Sequence, residues 1–236
     1  KTSWMSRSPA NSDRTYISAK IFSHVDEGVE VRNNHRGSGL SAVYALAAAV
    51  DAKDHYTYGH SRKVNTYAVV LAEAVGLPSD EVSRISTAAL LHDIGKIGVP
   101  DHILNKEGAL DADEWDAIKS HPRLGANIVG NVPDLAPCVG HILYHHERWD
   151  GSGYPEGLRG KSIPLGARIL SIADAFAAMA SARPYRDALP DEVALQRLKE
   201  GSGTQFDAEL VELFVEEVES GLPGKHKVSR VPPIQP

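Results

Sequence analysis

His141-Ile142-Leu143-Tyr144-His145-His146-Glu147-Arg148-Trp149-Asp150-Gly151-Ser152-Gly153-Tyr154-Pro155 sets two adjacent histidines at the end of an apolar helical run. Leu135, Val139, Ile142 and His146 recur at helical spacing, so at least one imidazole faces the interior. A buried imidazole without a partner costs about 1–3 kcal/mol, so the interior must offer it one. The run, which Asp134 is placed to cap, stops at the glycine-rich segment 150–153, and Pro155 fixes the turn beyond it. A rigid loop therefore covers the histidine pair.

The rest of the chain reads as a helical frame for that pair. Helices are predicted over Ser41–Lys53, Ser61–Val75, Ser79–Ile94, Pro164–Ala180, Pro190–Lys199 and Asp207–Val218. In the third, Val82, Ile85, Ala89 and Asp93 share one face with His92 beside them, which brings a carboxylate onto an apolar stripe. Buried charges are normally paired or bound to metal. Asp111 and Glu114 form a capping-box pattern opening a short helix with Trp115 and Ile118 inward, and Pro122 suits the first turn of the next, leaving His121 at its mouth. In Pro164–Ala180 the seam is Leu165, Ile169, Ile172 and Phe176, with Asp174 on a neighbouring face among small residues.

Composition limits the chemistry. With 236 residues and 42% hydrophobic content the chain can bury a sizeable core. Its single cysteine, Cys138, excludes an internal disulfide and a thiolate-rich zinc site, and fits a reducing compartment. A formal charge of −6 argues against DNA as a partner, and the longest apolar run, Ser41–Val50, is shorter than the roughly 18–20 residues of a membrane span. No direct membrane insertion is expected. Residues 1–38 read as a linker or the remnant of an upstream regulatory domain, 39–221 as the folded domain, and 222–236 as a frayed tail.

His60, His92, Asp93, His121, His145, His146 and Asp174 carry the chemistry, because so many imidazoles and carboxylates at helix ends and inward faces crowd a core unless they share ions. Seven ligands exceed one catalytic zinc and suit two octahedral ions bridged by a carboxylate, about 3.5–4 Å apart. Sulfur-free coordination favours iron, then manganese, with zinc third. His141 has the spacing of a ligand partner for His145 but is expected to support the core instead.

The ordered motifs His92-Asp93-Ile94-Gly95-Lys96, His121-Pro122-x-x-Gly125 and His145 through Pro155 resemble the HD-GYP family of cyclic di-GMP phosphodiesterases, a branch of the HD-domain hydrolases. The similarity runs from about Ser41 to Phe214, and takes in Arg183-Pro184-Tyr185-Arg186 and Gly203-Thr204-Gln205-Phe206-Asp207. It implies an all-α HD-domain bundle with added helices and a glycine-rich GYP loop, and hydrolysis of cyclic di-GMP to linear pGpG, or on to GMP, in bacterial second-messenger signalling.

Carried onto this chain, the resemblance has Asp93 bridging two metals, with His60, His92 and Asp174 on one ion and His121, His145 and His146 on the other. A hydroxide held between the ions is the implied nucleophile. Lys96 stabilises the departing charge, and Lys96, Arg183, Arg186, Tyr185, Gly153, Tyr154 and Pro155 face the substrate. The family also implies a cytoplasmic output domain of a longer sensor, contact with a GGDEF-type cyclase domain through the GYP loop, and a homodimer. Tyr56 stands where three-metal relatives carry glutamate, so two metals are expected; Ala177 stands where many relatives have aspartate, which points to slow turnover. The alternatives are a degenerate receptor that binds the dinucleotide without cutting it, and an HD-type hydrolase for a mononucleotide or a mixed cyclic dinucleotide.

Overall fold

The computed structural model describes residues 37–54, 59–181 and 187–221, the first eight of these as backbone only. Arg183, Tyr185, Arg186, Tyr56 and the expected linker and tail beyond those bounds lie outside the described residues. Among the described residues the chain is helical and its β structure is one isolated bridge, Ser202 to Phe206. The longer helices are α1 (Gly37–Lys53), α2 (His60–Ala74), α3 (Ser79–Leu91), α5 (Ala112–Lys119), α6 (His121–Gly130), α8 (Leu165–Met179), α9 (Asp191–Glu200) and α10 (Ala208–Ser220), with the short α4 (Asp101–Leu104) and α7 (Val139–Leu143) between them. None of these helices is long and apolar enough to cross a membrane.

The core sits where α2, α3, α8 and α10 pack together. Val64, Ala68 and Leu71 of α2 meet Ile85, Ala88 and Ala89 of α3 and Ile169, Ile172 and Phe176 of α8, all buried. Tyr67 stands edge-on to Phe176 and Phe214, with ring centroids 4.8 and 6.0 Å away. Such T-shaped pairs add about 0.5–1.5 kcal/mol beyond their burial, and here they lock three helices behind the histidine cluster.

Several sequence expectations need correction. The helix of 79–94 ends at Leu91, so His92 caps it and Asp93 leads into a 3-10 turn, Ile94–Gly98. The predicted helix leading to His146 is a 3-10 run, Pro133–Cys138, succeeded by the single turn of α7. Pro137 inside that run cannot donate an α-helical hydrogen bond, and Gly140 weakens the helical turn after it. Asp134 makes no side-chain cap there. Trp115, expected inward, is 48% exposed, because α5 lies at the rim with no buried residue of its own. The capping box that opens α5 does form, with Asp111 accepting from the Glu114 amide and Glu114 from the Asp111 amide.

Two glycines permit the close approaches that the site needs. Gly95 of the 3-10 turn is packed against the His121 carbonyl and the Gly125 amide of α6, where no Cβ fits. Gly153 lies against the backbone of Glu147 and Arg148, folding the loop back over the histidines. The loop is also clasped by Glu147, a buried carboxylate that accepts from the backbone N–H groups of Glu156 (2.7 Å), Gly157 (3.0 Å) and Leu158 (3.0 Å). Its base pairs with the segment 204–205: Trp149 N–H donates to the Gln205 carbonyl and Asp150 N–H to that of Thr204. Arg168, ion-paired with buried Asp207, lies 5.8 Å from the Trp149 ring.

Gly95→Ala should therefore force the 3-10 turn and α6 apart and cost about 2–3 kcal/mol, seen as a fall of roughly 5–10 °C in Tm. Gly130→Ala is the control, since its added methyl would meet Val139 Cγ2 at 3.6 Å, and thermal denaturation monitored by circular dichroism should show it within about 1 °C of the parent protein.

Candidate metal centre

His92, His121 and His145 adopt one pose. Each ring Nδ1 donates to the carbonyl three residues earlier in its own chain, Ala89 at 2.8 Å, Ile118 at 2.7 Å and Ile142 at 2.7 Å. A carbonyl can only accept, so each Nδ1 carries a proton, and Nε2 is the nitrogen left to present a lone pair once the ring is neutral. All three Nε2 atoms are buried and without a hydrogen-bond partner. They converge: ring centroids are 5.2 Å apart for His92 and His145, and 5.4 Å for His121 and His145. His146 lies beside His145, with ring centroids 4.0 Å apart and the planes tilted by 42°.

Asp93 lies between the rings. Its Oδ2 is 3.4 Å from His92 Nε2 and its Oδ1 is 3.3 Å from His121 Nε2. Its two oxygens thus face two groups of side chains, His60, His92 and Asp93 on one side and Asp93, His121, His145 and His146 on the other, either of which could hold a metal ion. Asp174 of α8 joins the first group, with Oδ1 at 2.9 Å from His60 Nε2 and 4.0 Å from His92 Nε2. All seven side chains singled out in the sequence are brought together, from α2, the α3 terminus, α6, the turn after α7, and α8. His141 stands apart: its Nε2 is 3.3 Å from Glu81, and its ring packs against Gly166.

Imidazole nitrogens and carboxylates directed at a common, largely buried point suit cations. Leaving each Nε2 buried and unpaired costs about 1–3 kcal/mol, and a divalent ion removes that cost. The electrostatics agree. Burial opposes charge on Asp93, but Lys96, His92 and His121 outweigh it and hold its carboxyl well below the usual range. Asp174 is held far down in the same way, against burial, by the His60 hydrogen bond and the neighbouring rings. Burial and the adjacent rings keep His145 well below an ordinary imidazole, and His146 is pushed down to about 4 by burial and His121. His121 is lowered by burial. His92 differs: burial works against its charge, but Asp93 and Asp174 raise it to about 9.

The loop completes the site. The Tyr154 ring lies over His146, with centroids 4.9 Å apart and 30° between planes, and burial together with the charges of Asp93 and Asp174 pushes its phenol up. Lys96 Nζ is 2.8 Å from Asp93 Oδ2 and 2.8 Å from Asp54 Oδ2. Two acids missed in the sequence belong here. Asp54 shares Lys96, and Asp51 accepts from Ser61, the neighbour of His60, at 2.7 Å. Both are buried. The signal that picked out Asp93, a carboxylate on an apolar helix, also marks Asp51 in the alanine-rich α1.

Comparison with known proteins adds a family and relatives. Residues 45–210 match the HD domain. The 3'3'-cGAMP-specific phosphodiesterase 2 of Vibrio cholerae is 38% identical over 80% of this chain and 37% of its own length. The cyclic di-GMP phosphodiesterase response regulator RpfG of Xanthomonas campestris is 43% identical over 72% of this chain and 46% of its own. The cyclic di-GMP phosphodiesterase of Thermotoga maritima is 42% identical over 69% and 45%. This chain thus spans less than half the length of these relatives. In solved structures the same fold occurs in a cyclic GMP-AMP specific phosphodiesterase of V. cholerae, with TM-score 0.61, 20% identity, and coverage of 75% of this chain and 48% of that one. An HDG"Y"P protein from Bdellovibrio bacteriovorus has TM-score 0.58, 18% identity, and coverage of 89% and 75%.

His92 gives the centre a pH dependence. Ligation needs its Nε2 lone pair, and below a folded, metal-free pKa of about 9 a proton must leave first. Apparent manganese affinity should therefore fall about tenfold per pH unit from pH 9 down to pH 7, and 15N NMR of the metal-free protein should show the His92 ring still doubly protonated at pH 8. Affinity that is flat across that window, or a neutral His92 at pH 8, would contradict this electrostatic account.

Proposed function

Since the chain belongs to the HD domain family, in its HD-GYP branch, we propose that it is a metal-dependent phosphodiesterase opening cyclic di-GMP to linear pGpG. The observation that carries the proposal is the convergence of three unpartnered Nε2 atoms on the two oxygens of Asp93. His60, His92 and Asp174 would hold one ion, His121, His145 and His146 the other, and Asp93 both. Imidazole and carboxylate donors without sulfur fit iron or manganese ahead of zinc. When bound, the pair of cations supplies Lewis-acid charge to the phosphodiester.

The protein's own groups do the remaining work. The carbonyl acceptors of Ala89, Ile118 and Ile142 hold three rings in the ligating tautomer. Lys96 offers three N–H groups; two face Asp54 and Asp93, and the third is the donor we assign to the departing sugar oxygen. Tyr154, raised from its usual pKa, keeps its proton and is a hydrogen-bond donor at the rim of the cluster. Arg183 and Arg186 are assigned to the ligand's phosphates as guanidinium forks. The relatives named for cyclic di-GMP and for 3'3'-cGAMP support a cyclic dinucleotide as substrate class.

Iron- or manganese-loaded protein, incubated under low oxygen with cyclic di-GMP and in parallel with 3'3'-cGAMP, should yield pGpG from the first faster than linear product from the second, as read by chromatography. His145→Ala should lower the rate by roughly a hundredfold or more. Tight binding of cyclic di-GMP with no linear product would favour the receptor reading instead.

A further inference from the structure

Lys96 bridges two buried carboxylates, Asp54 and Asp93. Lys96 Nζ is equidistant, at 2.8 Å, from a carboxylate at the end of α1 and from the one that faces both groups of histidines. Asp93 and Lys96 alone would neutralise each other, and the ammonium would compete with cations for Asp93 Oδ2. With Asp54 included, a second carboxylate draws on the same ammonium, so Lys96 is not committed to Asp93 alone. Asp54 is 5% exposed and Lys96 side-chain exposure is 16%, so water screens this competition little.

Asp54 is held for this task by the framework. Its N–H donates to the Val50 carbonyl at 3.1 Å, continuing α1 by one residue. The neighbouring Lys53 donates to the carbonyls of Ile97 and Val99 at 2.8 Å each, gripping the end of the 3-10 turn that carries Lys96. Asn105 Nδ2 donates to the Lys53 carbonyl at 3.3 Å. The last turn of α1 and the turn bearing Lys96 thus form one braced unit, so the reach from Asp54 to Lys96 is built in.

From this geometry we infer that Asp54 is a positioning residue: by sharing the Lys96 ammonium it keeps that charge from settling wholly on Asp93, and so leaves Asp93 able to hold divalent cations. The inference rests on the metal-centre reading and adds to it a residue that touches no metal. It makes a sign-specific claim: the effect of Asp54 acts through Lys96 and disappears when Lys96 is removed.

The test is manganese affinity of four purified proteins, measured by calorimetry at one pH with fold checked by circular dichroism. Asp54→Asn should weaken affinity about tenfold relative to the parent. Lys96→Met should not weaken it, and adding Asp54→Asn to Lys96→Met should change affinity by less than about threefold. A folded Asp54→Asn protein with parental affinity overturns the inference. So does a tenfold loss on adding Asp54→Asn in the Lys96→Met background, an outcome that overturns the inference even where Asp54→Asn alone fails to fold. A parent protein that takes up no manganese would instead overturn the metal-centre reading itself.

Discussion

The hydrogen bond from a histidine Nδ1 to the carbonyl three residues before it is the constraint on which the site depends. It appears three times, at His92, His121 and His145, each at or just beyond a helix end. A helix terminus leaves carbonyls unsatisfied, and a histidine placed there meets one of them while turning its other nitrogen inward. The helix ends are therefore the source of the ring geometry.

The packed helices make those ends meet. The Tyr67–Phe176–Phe214 cluster sets α2, α8 and α10, and α8 in turn presents Asp174 toward His60 of α2. Gly95 lets the 3-10 turn carrying Lys96 approach α6 and His121. The loop is lowered onto His146 by the Glu147 carboxylate and by its pairing with residues 204–205. Breaking any of these contacts moves a ligand, because the site has no single element of its own. Burial that would ordinarily neutralise Asp93 and Asp174 is outweighed by Lys96 and the imidazoles around them, so both carboxylates keep their charge.

Much of this was legible in the sequence for a physical reason. Helical periodicity exposes inward faces, so the seam of α8 and the placement of His92 and Asp93 on an apolar stripe could be read, and the ordered motifs carried the fold class. What failed was local. Pro137 and Gly140 broke the expected helix before His145 into a 3-10 run and one turn, yet the histidines still arrived, because their positions are set by the turn after α7. Trp115 is expected on the inward face of the helix that the capping box opens, whereas α5 borders solvent. Asp51 carries the same signal as Asp93, a carboxylate on an apolar helix, whereas Asp54, just past the end of α1, is tied to the site only by its tertiary contact with Lys96.

Under the proposed function, the inward-facing histidine nitrogens and the Asp93 carboxylate share cations. Anomalous diffraction from crystals of the manganese-loaded protein tests it most directly. The account predicts two peaks flanking Asp93, one within ligating distance of His60, His92 and Asp174 and the other of His121, His145 and His146. Peaks located elsewhere, or a cluster whose Nε2 atoms are met only by water, would contradict it.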